Sequence, residues 1–191
     1  MKKLSTYLFL ILFSFSAPSF GDDISDFQSE GMSIGDSALD FFSEEEIKKE
    51  LFSFPDDKDK TFIHAEFYKL PFFKVYDSIQ IAMKTNDTKY IIHAVRSGIF
   101  YDNNIDSCYK KMDEIAEELS EVFKNGEKEI QKKRKHSLDE SGKSTTEGVA
   151  FFLKSGNASV RCYDWSKEMS YTDNLNIAIK TKEYNEWLNN D

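Results

Sequence analysis

The segment from Asn104 to about Lys124 constrains the fold most. Ile105, Cys108, Met112, Ile115, Leu119 and Val122 recur at alternating spacings of three and four, which places them on one seam of a helix. Glu114, Glu117, Glu118 and Glu121 fall on the other side, and Asn125-Gly126 supplies a stop. A helix with one apolar seam needs a surface to lie on. Period-two runs on both sides of it provide one.

Upstream, Phe62, Ala65 and Phe67 sit in a strand-like run that ends at Pro71. Val75, Ile79, Ile81 and Met83 then alternate with Tyr76, Ser78 and Gln80. Asn86-Asp87 makes a reversal, and Tyr90 to Tyr101 runs back with Ile91, His93 and Val95 facing one way. Gly98 inside that run suggests a bulge or bend. Downstream, a second β region extends from about Lys132 to Lys180, with turn signals at Asp139-Glu140-Ser141-Gly142 and Ser155-Gly156-Asn157. There Val149, Phe151 and Leu153 alternate, as do Val160 and Cys162, and then Leu175, Ile177 and Ile179. The expected fold is α+β in a single domain over 22–191. It is a mainly antiparallel sheet of six or seven strands with one long central helix and short terminal helices. The two halves share an outline, helix then three or four strands, without a residue-level repeat.

The terminal helical signals are local. Ser33 reads as an N-cap with Asp36 at the third helical position, and Ser43 with Glu46 reads as a capping box that starts a second short helix. Pro55 and Asp56-Asp57-Lys58-Asp59 read as an exposed loop. Thr181 starts a last helix, Lys182 to Leu188, packed through Tyr184, Trp187 and Leu188.

Residues 1–21 read as a cleaved export signal. Lys2 and Lys3 precede the apolar run Tyr7 to Phe15, and Ser19 and Gly21 fit the small-residue positions of a cleavage site before Asp22. The expected location is periplasmic or secreted, with no stable membrane span after cleavage. Removal of two lysines and no acid takes the formal charge from −9 to −11. A chain this acidic repels nucleic acid and anionic lipid surfaces. The basic island Lys128 to Lys135 reads as a solvated strand or loop. In an exported chain the even pair Cys108 and Cys162 suggests a disulfide pinning helix to sheet, the alternative being two separately buried thiols.

Several words invite chemistry. Gly35-Asp36-Ser37 looks like the nucleophile block of GDSL-type esterases, so an exported serine hydrolase using Ser37 is the alternative to a binding role. None of His64, His93 and His136 has an Asp three residues before it, and helix capping explains the triplet. No catalytic residue is therefore assigned. Gly142-Lys143-Ser144-Thr145 resembles the end of a phosphate loop, but Ser137 stands where the leading Gly belongs. Asp102, Asn104, Asp106 and Asp113 match ligand positions of a calcium loop, with Ser107 in place of the turn Gly. The scattered histidines give no zinc spacing, so no metal or cofactor is expected. Tyr163 and Trp165 are the candidate binding residues, as an exposed aromatic pair on the face opposite Cys162. Their alternative is a packing layer under the C-terminal helix.

Three words carry a resemblance: Glu30 to Ser37 (EGMSIGDS), Asn103 to Lys111 (NNIDSCYKK) and Cys162 to Ser166 (CYDWS). On these words the chain resembles a family of small exported bacterial proteins, over most of its length, and the resemblance implies no activity. Gly31-Met32-Ser33 ahead of helix and strands also looks like the helix-plus-sheet domains of outer-membrane assembly lipoproteins, although a lipidated Cys is missing here. The functional expectation is non-catalytic binding of a protein or small-molecule partner in the cell envelope.

Overall fold

A computed structural model describes residues 23–53, 60–102 and 104–190. The expected export signal and the loop expected at Pro55 to Asp59 lie outside the described residues. Among the described residues one sheet contains every strand: β1 (Leu51–Phe52), β2 (Phe62–Tyr68), β3 (Ser78–Lys84), β4 (Ile92–Phe100), β5 (Glu127–Lys135), β6 (Thr145–Phe152), β7 (Gly156–Asp164) and β8 (Asn174–Thr181). Their order is β1-β2-β3-β4-β8-β7-β6-β5, and every pairing is antiparallel. The order reads inward from both ends, so two four-stranded meanders meet along β4 and β8.

The sheet has eight strands rather than six or seven. The two-residue β1 is too short to show a period. The exposed β5 has no buried face to alternate with, and only Gln131 is half-buried along it. Its cations Lys128, Lys132, Lys133, Arg134 and Lys135 blunt a sheet edge against strand addition.

One face of the sheet carries the main core. The central helix α2 (Ile105–Val122) starts at Asn104, whose side chain accepts from the Ser107 N–H at 3.3 Å. It lays Cys108, Met112, Ile115 and Leu119 on Val149, Phe151, Val160, Leu175, Ile177 and Ile179. Cys108 and Cys162 lie at disulfide distance with Cα atoms 6.1 Å apart, which pins the first turn of α2 to β7. The same face continues over β2–β4, where Met32, Ala38, Phe42 and Ile47 cover Phe67, Ile79, Ile81 and Val95.

Two local expectations need correction. Ser33 does not cap a helix: its N–H donates to Asp36 Oδ2 at 2.8 Å in a turn, and Ser37 caps the 3₁₀ turn Ala38–Asp40 instead. The second signal holds, since Ser43 and Glu46 form a capping box on the short helix α1 (Glu44–Lys49). Gly98 is not a bulge. The register shift falls at His93, so Ile92 and Val95 share the core face while Ala94 turns to the other. Gly98 avoids Ser78, whose Oγ would lie 2.7 Å from an added Cβ.

The second face is covered at one end by α3 (Lys182–Asn190). Tyr184 and Trp187 pack there on Phe62, Ala82 and Ala94. The rest of that face holds the site.

Candidate functional site

Strand register builds a cavity on the second face. Gln80, Arg96, Ala178 and Ser159 form one row across β3, β4, β8 and β7. Ser78, Gly98, Asn176 and Arg161 form the next. Ala178 and Ser159 keep the floor low because their side chains are small. Arg96, Arg161, Lys180 and Tyr163 rise around it, and Tyr184 and Leu188 of α3 close one side. The recess measures about 150 Å³, roughly ten times the ~15 Å³ that one water needs.

Its electrostatics run against the net charge of −9. Arg96 Nε donates to Asn176 Oδ1 at 2.8 Å, and the guanidinium lies 5.6 Å from the Tyr163 ring centroid. Arg161 donates to Gln131 Oε1. The Lys180 ammonium is pushed down to about 8, first by burial and then by the Arg96 and Arg161 charges. Among the described residues no ion pair includes Arg96, Arg161 or Lys180. Three cations therefore share one cavity without a carboxylate bridge.

Of the two expected binding residues, Tyr163 lines this cavity and Trp165 stands behind it. Their rings stack at 5.8 Å with planes 10° apart. Trp165 does not pack under α3. It meets His136 at 4.5 Å and Tyr171 at 4.9 Å between ring centroids. Two carboxylates fix this corner. Asp173 Oδ1 accepts the Trp165 backbone N–H at 2.7 Å. Asp139 Oδ2 accepts from Ser144 N–H (2.7 Å), Ser144 Oγ (2.6 Å) and Ser166 Oγ (2.9 Å), while Oδ1 takes the Ser141 N–H at 2.9 Å. These bonds, with Ser141 and Ser144 foremost, hold Asp139 well below the usual carboxylate range. They tie the β5–β6 turn to the segment after β7.

The remaining chemical words serve the fold. Ser37 Oγ donates to the Lys89 carbonyl at 2.7 Å and accepts the Leu39 N–H at 3.2 Å. His64 Nε2 faces Tyr184 Oη at 2.8 Å, His93 faces Glu183 at 3.8 Å, and His136 lies on Trp165, so each ring is committed elsewhere. In the phosphate-loop word, the Ser144 N–H and hydroxyl are both spent on Asp139. In the calcium word, Asp106 and Asp113 both lie in α2, about 10 Å apart along the axis at 1.5 Å per residue, too far to share one ion at 2.3–2.6 Å. Among the described residues no group of three or more His, Cys, Asp or Glu is placed to hold a metal.

Glu30 also turns out to be structural. Ser29 to Met32 close a tight turn with Glu30 at φ +49° and Gly31 at φ +86°, a pair of left-handed residues that favours glycine at the second. Glu30 Oε1 then accepts the N–H groups of Lys74, Val75 and Tyr76 at 2.8, 2.7 and 3.1 Å. It staples the arm to the β2–β3 connection.

The sequence reading missed Arg96, Arg161 and Lys180. Each is a lone cation on an otherwise apolar or small-residue strand, which is the signal that marks them. No family model, curated protein or solved structure matches this chain. Fold and site together define an α+β protein with one antiparallel sheet, its core on one face and a cationic cavity on the other.

Proposed function

We propose that this is an exported, non-catalytic binding protein of the cell envelope, periplasmic or secreted, that receives a small-molecule partner in the second-face cavity. The observation that carries the reading is the cavity itself, a recess with three cations that have no ion-pair partner among the described residues and an aromatic wall from Tyr163. A concave recess with a few convergent polar groups is the general form of a small-ligand site. The commitment of Ser37 to the Lys89 carbonyl supports binding over hydrolysis. Among the described residues no helix is long and apolar enough to cross a membrane, which agrees with export without an α-helical anchor in that part of the chain.

A thermal-shift screen of the mature protein against neutral and charged metabolites tests the reading. At least one compound should raise the Tm of the wild type and not that of Ala178→Leu, whose larger side chain fills the floor. If no compound shifts the wild type, or Ala178→Leu responds equally, the binding role of the cavity is wrong.

A further inference from the structure

We infer that the cavity formed by Arg96, Arg161 and Lys180 binds a phosphate monoester or inorganic phosphate, a doubly charged oxyanion held between β4, β7 and β8. The inference rests on the binding role proposed above and names its ligand class.

The first support is charge. Three cations converge on about 150 Å³ with no ion-pair partner among the described residues. A cavity of this kind holds like charges together at a cost, and an anion offsets that cost. A carboxylate supplies one negative charge and leaves two cations uncompensated. A phosphate dianion leaves one. By register Glu66 of β2 is separated from Arg96 by Gln80, and its carboxylate bonds the Tyr68 hydroxyl instead.

The second support is geometry. Arg96 uses Nε on Asn176, and Arg161 uses one terminal nitrogen on Gln131. These bonds fix both guanidinium planes and leave the other N–H groups for a ligand. Fixed forks suit tetrahedral oxyanions, because two parallel donors meet two oxygens. Gln80, Ser159 and Asn176 add neutral polar groups to the lining. The third support is shape. Tyr163, Tyr184 and Leu188 add apolar surface to the lining, a place for the organic part of an ester. The net charge of −9 disfavours nucleic acid and other long polyanions, so a single small phosphate fits better than a polymer.

Isothermal titration calorimetry on the mature protein tests this with inorganic phosphate, glycerol phosphate and acetate. A flotation arm compares vesicles of phosphatidic acid with vesicles of phosphatidylcholine. Phosphate and glycerol phosphate should bind, acetate should bind more weakly, and Arg96→Gln and Arg161→Gln should each raise Kd about tenfold or more. Binding to phosphatidic acid vesicles alone would assign the phosphate to a lipid headgroup, and binding to the soluble ester alone to a metabolite. Circular dichroism and an unchanged or raised Tm without ligand show that the Gln variants fold. Acetate binding as tight as phosphate, or phosphate affinity unchanged in both variants, overturns the inference. Absence of phosphate binding beside an Ala178→Leu-sensitive neutral ligand overturns it while leaving the binding role in place.

Discussion

The Arg96 guanidinium lies 5.6 Å from the centroid of the Tyr163 ring, reaching across β8 from β4 to β7. The contact joins the two meanders on the second face, above the small side chains of Ala178 and Ser159. A half-buried cation–π pair contributes about 1 kcal/mol. A double-mutant cycle of Arg96→Met and Tyr163→Leu in urea should show coupling of about that size. Additive losses would mean that the ring only shapes the wall.

The pair Cys108 and Cys162 joins α2 to β7 between two fully buried positions. Their sequence separation of 54 corresponds in the chain-entropy treatment to about 4 kcal/mol of stabilisation. Replacing both by Ala should cost stability of that order, read as a lower urea midpoint with a steeper slope, because the uncrosslinked unfolded chain exposes more surface. Thiol titration of the protein unfolded in denaturant without reductant should find no free cysteine, and two free thiols would refute the bridge.

Asp139 holds the corner behind Trp165 through Ser141, Ser144 and Ser166. Its folded pKa is depressed, so its contribution is present above the ordinary carboxylate value and is lost as pH falls below about 4. Asp139→Asn replaces one accepting oxygen with a donor that faces N–H and O–H groups. The variant should lower Tm at pH 7 and change the near-ultraviolet circular dichroism of the aromatic corner. An unchanged aromatic signal would show that Asp173 alone positions Trp165.

His64 is fully buried against Tyr184 and is pushed down to about 4 by burial. It is neutral when folded but protonates when unfolded, so the unfolded chain holds the extra proton between about pH 4 and 6.5. Stability should therefore fall as pH drops through that window, by about 3 kcal/mol in full. His64→Phe should flatten that slope in urea titrations at fixed pH, even if its absolute stability differs. A slope equal to that of the wild type would exclude His64 as its source.

The parts legible in the sequence were those where one residue spacing decides burial. The seam from Ile105 to Val122 stands on α2 with its core side inward, because alternating threes and fours fit a helix and nothing else. Ile79, Ile81 and Met83 face the core for the same reason at period two. Ser43 with Glu46 carried its own signal, since a capping box closes within four residues. The two-residue β1 and the wholly exposed edge β5 left no periodic trace. The extra residue at His93 shifted the phase of β4, so Ile92 rather than Ile91 entered the core. The cavity was illegible for a topological reason. Arg96, Arg161 and Lys180 meet because β8 inserts between β4 and β7, a neighbourhood fixed by pairing and not by spacing along the chain.

Lys180 yields the sharpest pH test, because its environment opposes its charge. Arg96 faces it from β4 and Arg161 from β7, with Tyr184 and Leu188 of α3 lining the same space. Its ammonium titrates at about 8 when folded and at about 10.4 in an unfolded chain. Below pH 8 it is charged in both states, and the full penalty of keeping it charged in the cavity is present. Between those values the unfolded state binds more protons, so stability rises with pH until both states are neutral. Lys180→Met keeps the length of the side chain and removes the charge. It should stabilise the protein at pH 7 by about 1–3 kcal/mol, with the advantage fading from pH 8 towards 10.5. The measurement is urea unfolding of both proteins at intervals from pH 7 to 10.5. A constant difference across that range would mean that Lys180 keeps its charge at no cost. The cationic character of the cavity would then need another explanation.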